Sequence, residues 1–256
     1  MRKKYASNDK DRLLVENFKK FMEEGDFSPN LNEEESQKSL FVLVGPPSVG
    51  KSTWIRETFK GKSSPYVISR DDIADSVADS MGWTYDDMFV SPPKDAQEGD
   101  VDEKYGTVVK SPAYMTWQPL SYDKVVEANG KIHDQFTKRV AGAQPSGKDI
   151  VVDMTNMNAR ARKGAQAAIE SASEGDYKKI AVVFNFEGAE EIIKKVAEKR
   201  RKEKEKEGKS KTIPPEAFDR MFKAFQKVDP SEGFDEVISV DNIAALRALA
   251  GGDTPQ

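Results

Sequence analysis

The segment that most constrains the fold runs from Gly45 to Ser52 and reads GPPSVGKS. Its two glycines have four residues between them and are followed by Lys-Ser, which is the spacing of a Walker A loop. The preceding run LFVLV (40–44) is typical of a strand buried on both faces, and the stretch 52–59 predicts a helix. This arrangement predicts a phosphate cradle, because the loop N–H groups and the helix N-terminus converge on one anion.

The loop residues are the predicted ATP site. We expect Lys51 to reach the β- and γ-phosphates, and the Ser52 hydroxyl to ligate the Mg²⁺ that bridges them. ATP and Mg²⁺ are therefore the predicted cofactors. The predicted ATP-binding residues are Gly45, Pro46, Pro47, Ser48, Val49, Gly50, Lys51, Ser52 and Thr53.

The rest of the chain alternates short apolar runs with helical stretches. Apolar runs at 66–68, 150–152 and 180–186 predict further buried strands, and 236–240 predicts a last one. This alternation predicts an α/β fold of the P-loop NTPase type, with a mainly parallel sheet and helices on both faces. Residues 83–121, which contain four prolines, predict an irregular insertion.

Composition shifts predict three parts of the chain. Residues 1–38 read as a charged N-terminal arm, residues 39–245 as the P-loop domain, and residues 246–256 as a flexible tail. Within the domain, the charged stretch 190–212 predicts a helix, with a lid as one interpretation, in addition to the insertion at 83–121.

Composition also narrows the classes of function. The 256 residues include no cysteine and one histidine, which excludes thiolate metal sites and disfavours catalysis built on several histidines. The net charge of −4 gives no global attraction to polyanions, so a nucleic-acid partner needs a local basic cluster such as 194–211. No apolar run approaches the roughly 20 residues that cross a bilayer. We expect a cytoplasmic protein without a membrane partner, in the host cytoplasm if a phage encodes it; the oligomeric state is left open.

Charged residues follow the second predicted strand. Arg70, Asp71 and Asp72 come directly after 66–68, and ligands of open α/β sheets bind at such carboxyl ends of strands. A carboxylate at this edge orients an attacking hydroxyl and accepts its proton. The helix from Ile73 onward equally favours an N-cap role for one of the two aspartates. The residues alone leave both roles open for Asp71.

Two basic stretches are candidates for phosphate contacts. Arg160, Arg162 and Lys163 begin a helix and would suit acceptor phosphates, although an exposed helix face has the same pattern. Arg200 and Arg201 would neutralise charge on the transferred phosphoryl group if their segment acts as a lid. The alternative for this Lys/Glu-rich run is a solvated helix with neighbouring ion pairs.

Four segments resemble, in order, those of phage-type polynucleotide 5′-hydroxyl kinases and their P-loop relatives: GPPSVGKSTWIRETF, YVISRDDI, VVDMTNMNARAR and TIPPEAFDRMFKAF. The resemblance covers about residues 40–228. It implies a small α/β kinase fold with a substrate channel, Asp71 as general base, and Arg200 and Arg201 as lid arginines at the ATP phosphates. The candidate substrate-binding residues on this basis are Arg70, Asp72, Asp153, Thr155, Asn156 and Arg160.

The function implied is transfer of the γ-phosphoryl group of ATP to a hydroxyl on a nucleic acid, with DNA favoured over RNA. Two positions depart from the family pattern. Ala74 stands where the 5′-end kinases have an arginine, and Met154 replaces the acid before Thr155. A second acceptor therefore stays open, namely the hydroxymethyl group of 5-hydroxymethyluracil or another hydroxymethyl pyrimidine within DNA.

Further alternatives concern the insertion and the reaction class. Aromatic residues of the insertion would stack on a base in one interpretation and pack as a cover over the sheet in the other. They are Trp83, Tyr85, Phe89, Tyr105, Tyr114 and Trp117. A kinase of a small metabolite and an ATP-hydrolysing switch are the remaining functional alternatives. Against the switch, Met154 follows Asp153 where a hydrolysis signature would have a second acid.

Overall fold

The structure is a computed structural model that describes residues 37–86, 95–103, 106–110, 115–118, 122–172, 177–206 and 211–251. Most of the predicted arm, Phe89, Tyr105, Tyr114 and the side chain of Trp117 lie outside this description. In chain order the elements are β1 (Ser39–Val44), α1 (Lys51–Thr58), β2 (Tyr66–Ser69), α2 (Arg70–Ser80), β3 (Val101–Asp102), β4 (Gly106–Lys110), β5 (Met115–Gln118), α3 (Tyr122–Ala141), β6 (Ile150–Asp153), α4 (Ala159–Ala172), β7 (Lys178–Phe184), α5 (Glu190–Glu205), α6 (Pro215–Lys223), β8 (Glu236–Val240) and α7 (Ile243–Ala250).

The chain divides into two compact units. The first consists of residues 1–68, 140–200 and 213–256, and the second of residues 69–139 and 201–212. In the part of the chain that the structure describes, no helix is long and apolar enough to cross a membrane.

The first unit is built on a five-stranded sheet with the order β2-β6-β1-β7-β8. β1 pairs in parallel with β6 and with β7, and β7 pairs in parallel with β8. Side chains of β1 are buried on both faces, which explains its continuous apolar sequence. The predicted mainly parallel α/β sheet is confirmed. β2 and β6 lie on one side of β1 in the strand order, and β7 and β8 lie on the other, so the strand order reverses at β1. Open α/β sheets bind ligands at such a switch point, and the loop after β1 lies there.

One apolar cluster joins this sheet to its helices. Each of its large side chains contributes about 1.5–3 kcal/mol when it leaves water completely. Members from the helices include Trp54 of α1, Ile193 and Val196 of α5, Phe218 of α6 and Leu246 of α7.

Two predicted boundaries change in the first unit. α7 extends to Ala250 and buries Leu246, so the stretch 246–250 is helical instead of a flexible tail. The first half of the predicted lid belongs to the core, because Ile193 and Val196 are buried and Lys199 Nζ donates to Leu249 O at 3.0 Å. The charged composition of α5 hid these two buried positions. Residues 207–210 and 252–256 lie outside the described chain.

The second unit contains α2, α3 and a small antiparallel sheet of β3, β4 and β5. The described part of the insertion is therefore not irregular as predicted. Its strands are only two to five residues long. The frequent prolines indicated an irregular segment, although the β-branched residues between them favour strands.

The apolar cluster of the second unit lies between α2 and α3. Ile73, Ala74 and Val77 of α2 pack with Ala128 and Ile132 of α3. The partly buried residues Trp83 and Tyr85 pack against the same cluster, which favours a packing role over base stacking for these two aromatics.

Candidate functional site

The loop between β1 and α1 has the backbone of a phosphate cradle. Pro46 and Pro47 lack an N–H group, so the available donors begin at Ser48. Ser48 and Gly50 adopt positive φ values of 64° and 107°, which curl the chain toward the start of α1. The Val49 side chain is fully buried and leaves only its backbone for a ligand.

Lys51 extends its side chain back across this loop. Its Nζ donates to Gly45 O at 3.2 Å and to Pro46 O at 3.0 Å. The ammonium is thereby held at the loop by two backbone carbonyls.

Asn242 holds the phosphate loop through a hydrogen bond to a backbone carbonyl. No sequence pattern predicted this contact. The Asn242 Nδ2 group donates to Val49 O, although the two residues are 193 positions apart. A Cβ atom on Gly50 would lie 2.5 Å from that nitrogen, so glycine is required there by contact as well as by its positive φ. The only signal available was the polar Asp-Asn pair directly after the last strand.

Ser52 and Asp153 form the candidate magnesium position. The Ser52 Oγ lies 3.5 Å from Asp153 Oδ2, and Asp153 ends β6 at the carboxyl edge of the sheet. No group of three or more histidine and acidic residues in the described chain could hold a metal by itself. The two oxygens nevertheless fit Mg²⁺, which usually takes one or two protein ligands and completes its shell with phosphates and water.

The loop after β6 is hydrogen-bonded to the phosphate loop. Gly45 N donates to Thr155 O at 2.9 Å, and Asn156 Nδ2 donates to Leu43 O at 2.8 Å. Asn156 is 2% exposed, so its predicted substrate-binding role is wrong. Its amide satisfies a buried carbonyl and fixes the loop instead.

Arg162 is fully buried, so neither of the two interpretations left open for it, a phosphate contact or an exposed helix face, applies. It forms a bidentate pair with Glu232, in which Nε donates to Oε2 at 2.7 Å and Nη2 to Oε1 at 2.6 Å. Its other protons bind the carbonyl oxygens of Asn156, Gln226 and Lys227. The hydrogen bond from Arg162 holds the pKa of Glu232 below its usual range. The pair therefore ties the loop after β6 to the segment after α6.

Replacing Arg162 with methionine is expected to lower the free energy of unfolding by about 3–5 kcal/mol, because it leaves the Glu232 carboxylate buried without its partner. Urea unfolding measures this change. The matched control is Arg160→Met, because Arg160 is exposed on the same helix and a surface substitution stays within about 0.5 kcal/mol. An Arg162→Met protein as stable as the control would contradict the structural role.

A cavity of about 350 Å³ lies between the loop after β6 and α6. Small side chains leave it open, and two methionines give it apolar walls. Its lining consists of Thr155, Met157, Asn158, Ala161, Ala217, Arg220, Met221 and Ala224. Next to the cavity, Gln226, which follows α6, is bonded to the segment after β6: Gln226 N donates to Met157 O, and Gln226 Oε1 accepts from Ala159 N.

Acidic residues lie at the start of α2, in the second unit. Ser69 is the N-cap of this helix, and its Oγ accepts from Asp72 N at 3.2 Å. The alternative that Asp71 or Asp72 caps the helix is therefore wrong. Both lie in the first turn, where a negative charge suits the helix dipole, and both are exposed.

Lys211 lies over this acidic face of α2. Its Nζ is 3.1 Å from Asp71 Oδ2, 3.7 Å from Asp75 Oδ2 and 4.4 Å from the centre of the Tyr85 ring. Burial raises the pKa of Asp75, and Lys211 acts in the opposite direction. Burial and then Asp71 raise the pKa of Tyr85, so its hydroxyl stays protonated.

The other predicted site residues keep contact with solvent. Arg200 and Arg201 are partly exposed on α5, and Arg201 pairs with Glu205 one turn further along. Their approach to ATP phosphates stays a prediction. The substrate-binding candidates with exposed or partly exposed side chains are Arg70, Asp72, Asp153, Thr155 and Arg160.

A protein-family model described as an AAA domain matches residues 40–228. The chain belongs to this family. Its phosphate loop, parallel sheet and helices thus form a P-loop NTPase fold, as the sequence predicts. No curated protein matches the chain.

Solved structures similar to this AAA domain protein share little sequence with it. A provisionally named kinase from Chloroflexus aurantiacus is 11% identical, with a TM-score of 0.45 and coverage of 84% of this chain and 93% of that one. A gluconokinase from Sinorhizobium meliloti is 16% identical, with a TM-score of 0.36 and coverage of 84% and 95%. A structure of the PezAT toxin-antitoxin system of Streptococcus pneumoniae is 10% identical, with a TM-score of 0.46 and coverage of 100% and 92%.

Two residues that complete the site lie beyond the matched AAA domain segment. Glu232 holds Arg162, and Asn242 holds the phosphate loop. Contacts that hold the phosphate loop therefore extend to Asn242, at the start of α7.

Proposed function

We propose that this AAA domain protein is an ATP-dependent kinase that transfers the γ-phosphoryl group to an alcohol group of a nucleic acid. The observation that carries the proposal is the preformed cavity beside the phosphate loop. One of its walls contains Thr155, whose carbonyl accepts a hydrogen bond from Gly45 at the start of that loop. An ATP-hydrolysing switch needs no such acceptor cavity, whereas a kinase does.

Different residues of the chain bind ATP, hold Mg²⁺ and accept the proton. The N–H groups from Ser48 to Lys51 hold the ATP phosphates, and the Lys51 ammonium neutralises charge on them. Ser52 and Asp153 would hold Mg²⁺, whose positive charge would help to neutralise the phosphates. Asp71 accepts the proton of the acceptor hydroxyl as general base. Most of the rate enhancement then comes from positioning and charge stabilisation.

The chemistry of the cavity supports an anionic acceptor with an apolar portion. Its volume lies at the lower end of the range of ligand pockets, roughly 300–1,000 Å³. Met157 and Met221 provide adaptable apolar contacts. The Arg220 side chain is exposed and lines the cavity, so its guanidinium can receive a phosphodiester. A nucleic-acid unit combines such a phosphate with a planar base.

Ala74 favours a second candidate acceptor, which is also an alcohol group of a nucleic acid. This residue is 3% exposed and packs in the apolar cluster of the second unit, so no arginine at this position grips a strand end. The second candidate is therefore phosphorylation of the hydroxymethyl group of a hydroxymethyl pyrimidine within DNA, where a base must be presented from mid-strand.

The test is incubation with γ-labelled ATP and a panel of acceptors: 5′-hydroxyl DNA, 5′-hydroxyl RNA, duplex DNA containing 5-hydroxymethyluracil, free nucleosides, and gluconate. Label in one of the first three is the expected result, and its position separates strand end from hydroxymethyl group. Label only in nucleosides or gluconate would establish a small-molecule kinase and overturn the nucleic-acid proposal. ATP hydrolysis that no acceptor stimulates or intercepts would favour the switch.

A second arm of the same experiment tests the cavity. Arg220→Gln is expected to raise KM for the oligonucleotide acceptor about ten-fold or more, because a hydrogen bond to a charged group is worth roughly 1.5–3 kcal/mol. The KM for ATP stays unchanged. Lys223→Gln is the matched control, since Lys223 is exposed on the same helix outside the cavity lining. Equal effects of both substitutions on this KM would show that the acceptor does not bind in this cavity.

A further inference from the structure

Lys211 lies beside Asp71 in the second unit, and no motif singled it out. It has an ion pair with Asp71 Oδ2 at 3.1 Å, while its side chain is only 17% exposed. Lysine ammonium groups ordinarily remain in water because they are strongly hydrated. A nearly buried ammonium therefore needs specific partners at its position.

The partners of Lys211 come from two neighbouring segments of the second unit. Asp71 and Asp75 lie one helical turn apart on α2, and the Tyr85 ring provides a cation–π contact at 4.4 Å. Like charges at positions i and i+4 repel each other on a helix. The Lys211 ammonium between them turns this repulsion into two attractions.

The neighbour of Lys211 in the chain is fixed to the same segment. Thr212 N donates to Asp86 Oδ1 at 2.6 Å, and Thr212 Oγ1 donates to Asp86 Oδ2 at 2.8 Å. Asp86 directly follows Tyr85. These two hydrogen bonds restrain the backbone from which Lys211 extends, so its ammonium is pre-positioned over Asp71 before any ligand binds.

We propose that Lys211 is a positioning residue that orients the Asp71 carboxylate, with Asp75 and Tyr85 keeping the ammonium in place. The inference rests on the proposed function, in which Asp71 is the general base. Lys211 binds Oδ2 of Asp71 and thereby restrains the carboxylate, which leaves Oδ1 to accept a proton. In the step itself, the hydroxyl oxygen bonds to the γ-phosphorus as the bond to ADP breaks, and Asp71 takes the hydroxyl proton.

The kinetic test compares Lys211→Met, Lys211→Arg and the wild-type chain on the acceptor that the panel identifies. Lys211→Met is expected to lower kcat about ten-fold or more, a part of the 10²–10⁴-fold contribution of a positioned base. The KM for ATP stays unchanged. Lys211→Arg recovers most of the lost kcat, because a guanidinium also binds two carboxylates. Lys138→Met is the matched control, an exposed lysine of the same unit.

An activity-independent measurement accompanies the kinetics. Carbon-13 NMR of carboxyl-labelled aspartate, with peaks identified in Asp71→Asn and Asp75→Asn, reports the contacts of Lys211 in the full chain. Lys211→Met is expected to shift both resonances and to move the titration of Asp75 to higher pH, since Lys211 lowers the pKa of Asp75. Lys138→Met leaves both resonances in place.

The outcomes separate the inference from the proposed function. Unshifted resonances in Lys211→Met would overturn the positioning role whatever the acceptor, and so would shifted resonances with an unchanged kcat. A wild-type chain that labels no acceptor would overturn the proposed function, and with it the role of Lys211, even if the NMR contacts are present. Loss of kcat that Lys211→Arg fails to recover would also contradict the proposal, because it would indicate general damage to the fold.

Discussion

Replacing Lys51 with alanine is expected to lower kcat/KM for phosphoryl transfer by about a thousand-fold, comparable with the loss of one main charge-stabilising donor at a transition state. Lys51 Nζ is held at the phosphate loop by Gly45 O and Pro46 O. Alanine removes the only side-chain cation of this loop, while its backbone N–H remains. The N–H groups of the loop would still bind phosphates, but the positive charge that stabilises the transferred γ-phosphoryl group would be lost.

Two measurements check the Lys51→Ala prediction. Single-turnover transfer from labelled ATP reports chemistry, and calorimetric titration with ATP and Mg²⁺ reports binding. Lys62→Ala serves as the control, because Lys62 is an exposed lysine shortly after α1 and its loss leaves both quantities unchanged. Transfer by Lys51→Ala at more than a tenth of the wild-type rate would show that the loop does not hold the transferred phosphate.

The parts of the site that sequence predicts are local in the chain. The phosphate loop, Lys51 and Ser52 lie within eight residues that follow a strand and enter a helix, and the strand has a continuous apolar pattern. The parallel sheet follows from the same reasoning, because its central strands are apolar on both faces. Local pattern is sufficient where one short segment contains all the residues concerned.

The parts that sequence missed depend on contacts between distant segments. Asn242 meets Val49 across 193 positions, Asn156 meets Leu43 across 113, and Arg162 meets Glu232 across 70. Each polar side chain satisfies buried groups whose proximity is set only by the folded sheet. An exposed arginine and a buried, paired one have the same local signature, which is why neither interpretation left open for Arg162 was a buried ion pair.

The start of α2 illustrates an error of a different kind. Apolar periodicity begins at Ile73, so the sequence predicts a helix from there and leaves an aspartate cap as one of two alternatives. The structure begins the helix at Arg70 because the Ser69 hydroxyl accepts from Asp72 N. Capping by serine and by aspartate have similar strength, and the choice between them depends on how the strand enters the helix. The capping alternative for Asp71 is thereby removed, and its role as general base stays a prediction.

Asp71→Asn is expected to lower kcat by about 10²–10⁴-fold, the contribution of a positioned general base, while ATP binding stays unchanged. Asparagine preserves the size of the side chain but cannot accept the proton of an acceptor hydroxyl. Asp71 is 57% exposed, so its pairing with Lys211 contributes less than about 1 kcal/mol to the free energy of unfolding. A loss of turnover therefore cannot be attributed to unfolding.

Asp79→Asn is the matched control for Asp71→Asn, since it is an exposed aspartate of the same helix and makes the same change in charge. The two variants should unfold at the same urea concentration and bind ATP equally, and only Asp71→Asn should lose phosphoryl transfer. Substantial label transfer by Asp71→Asn would exclude it as the base. The proton would then have to leave through solvent or another carboxylate, and the position of Lys211 beside Asp71 and Asp75 would need a purely structural explanation.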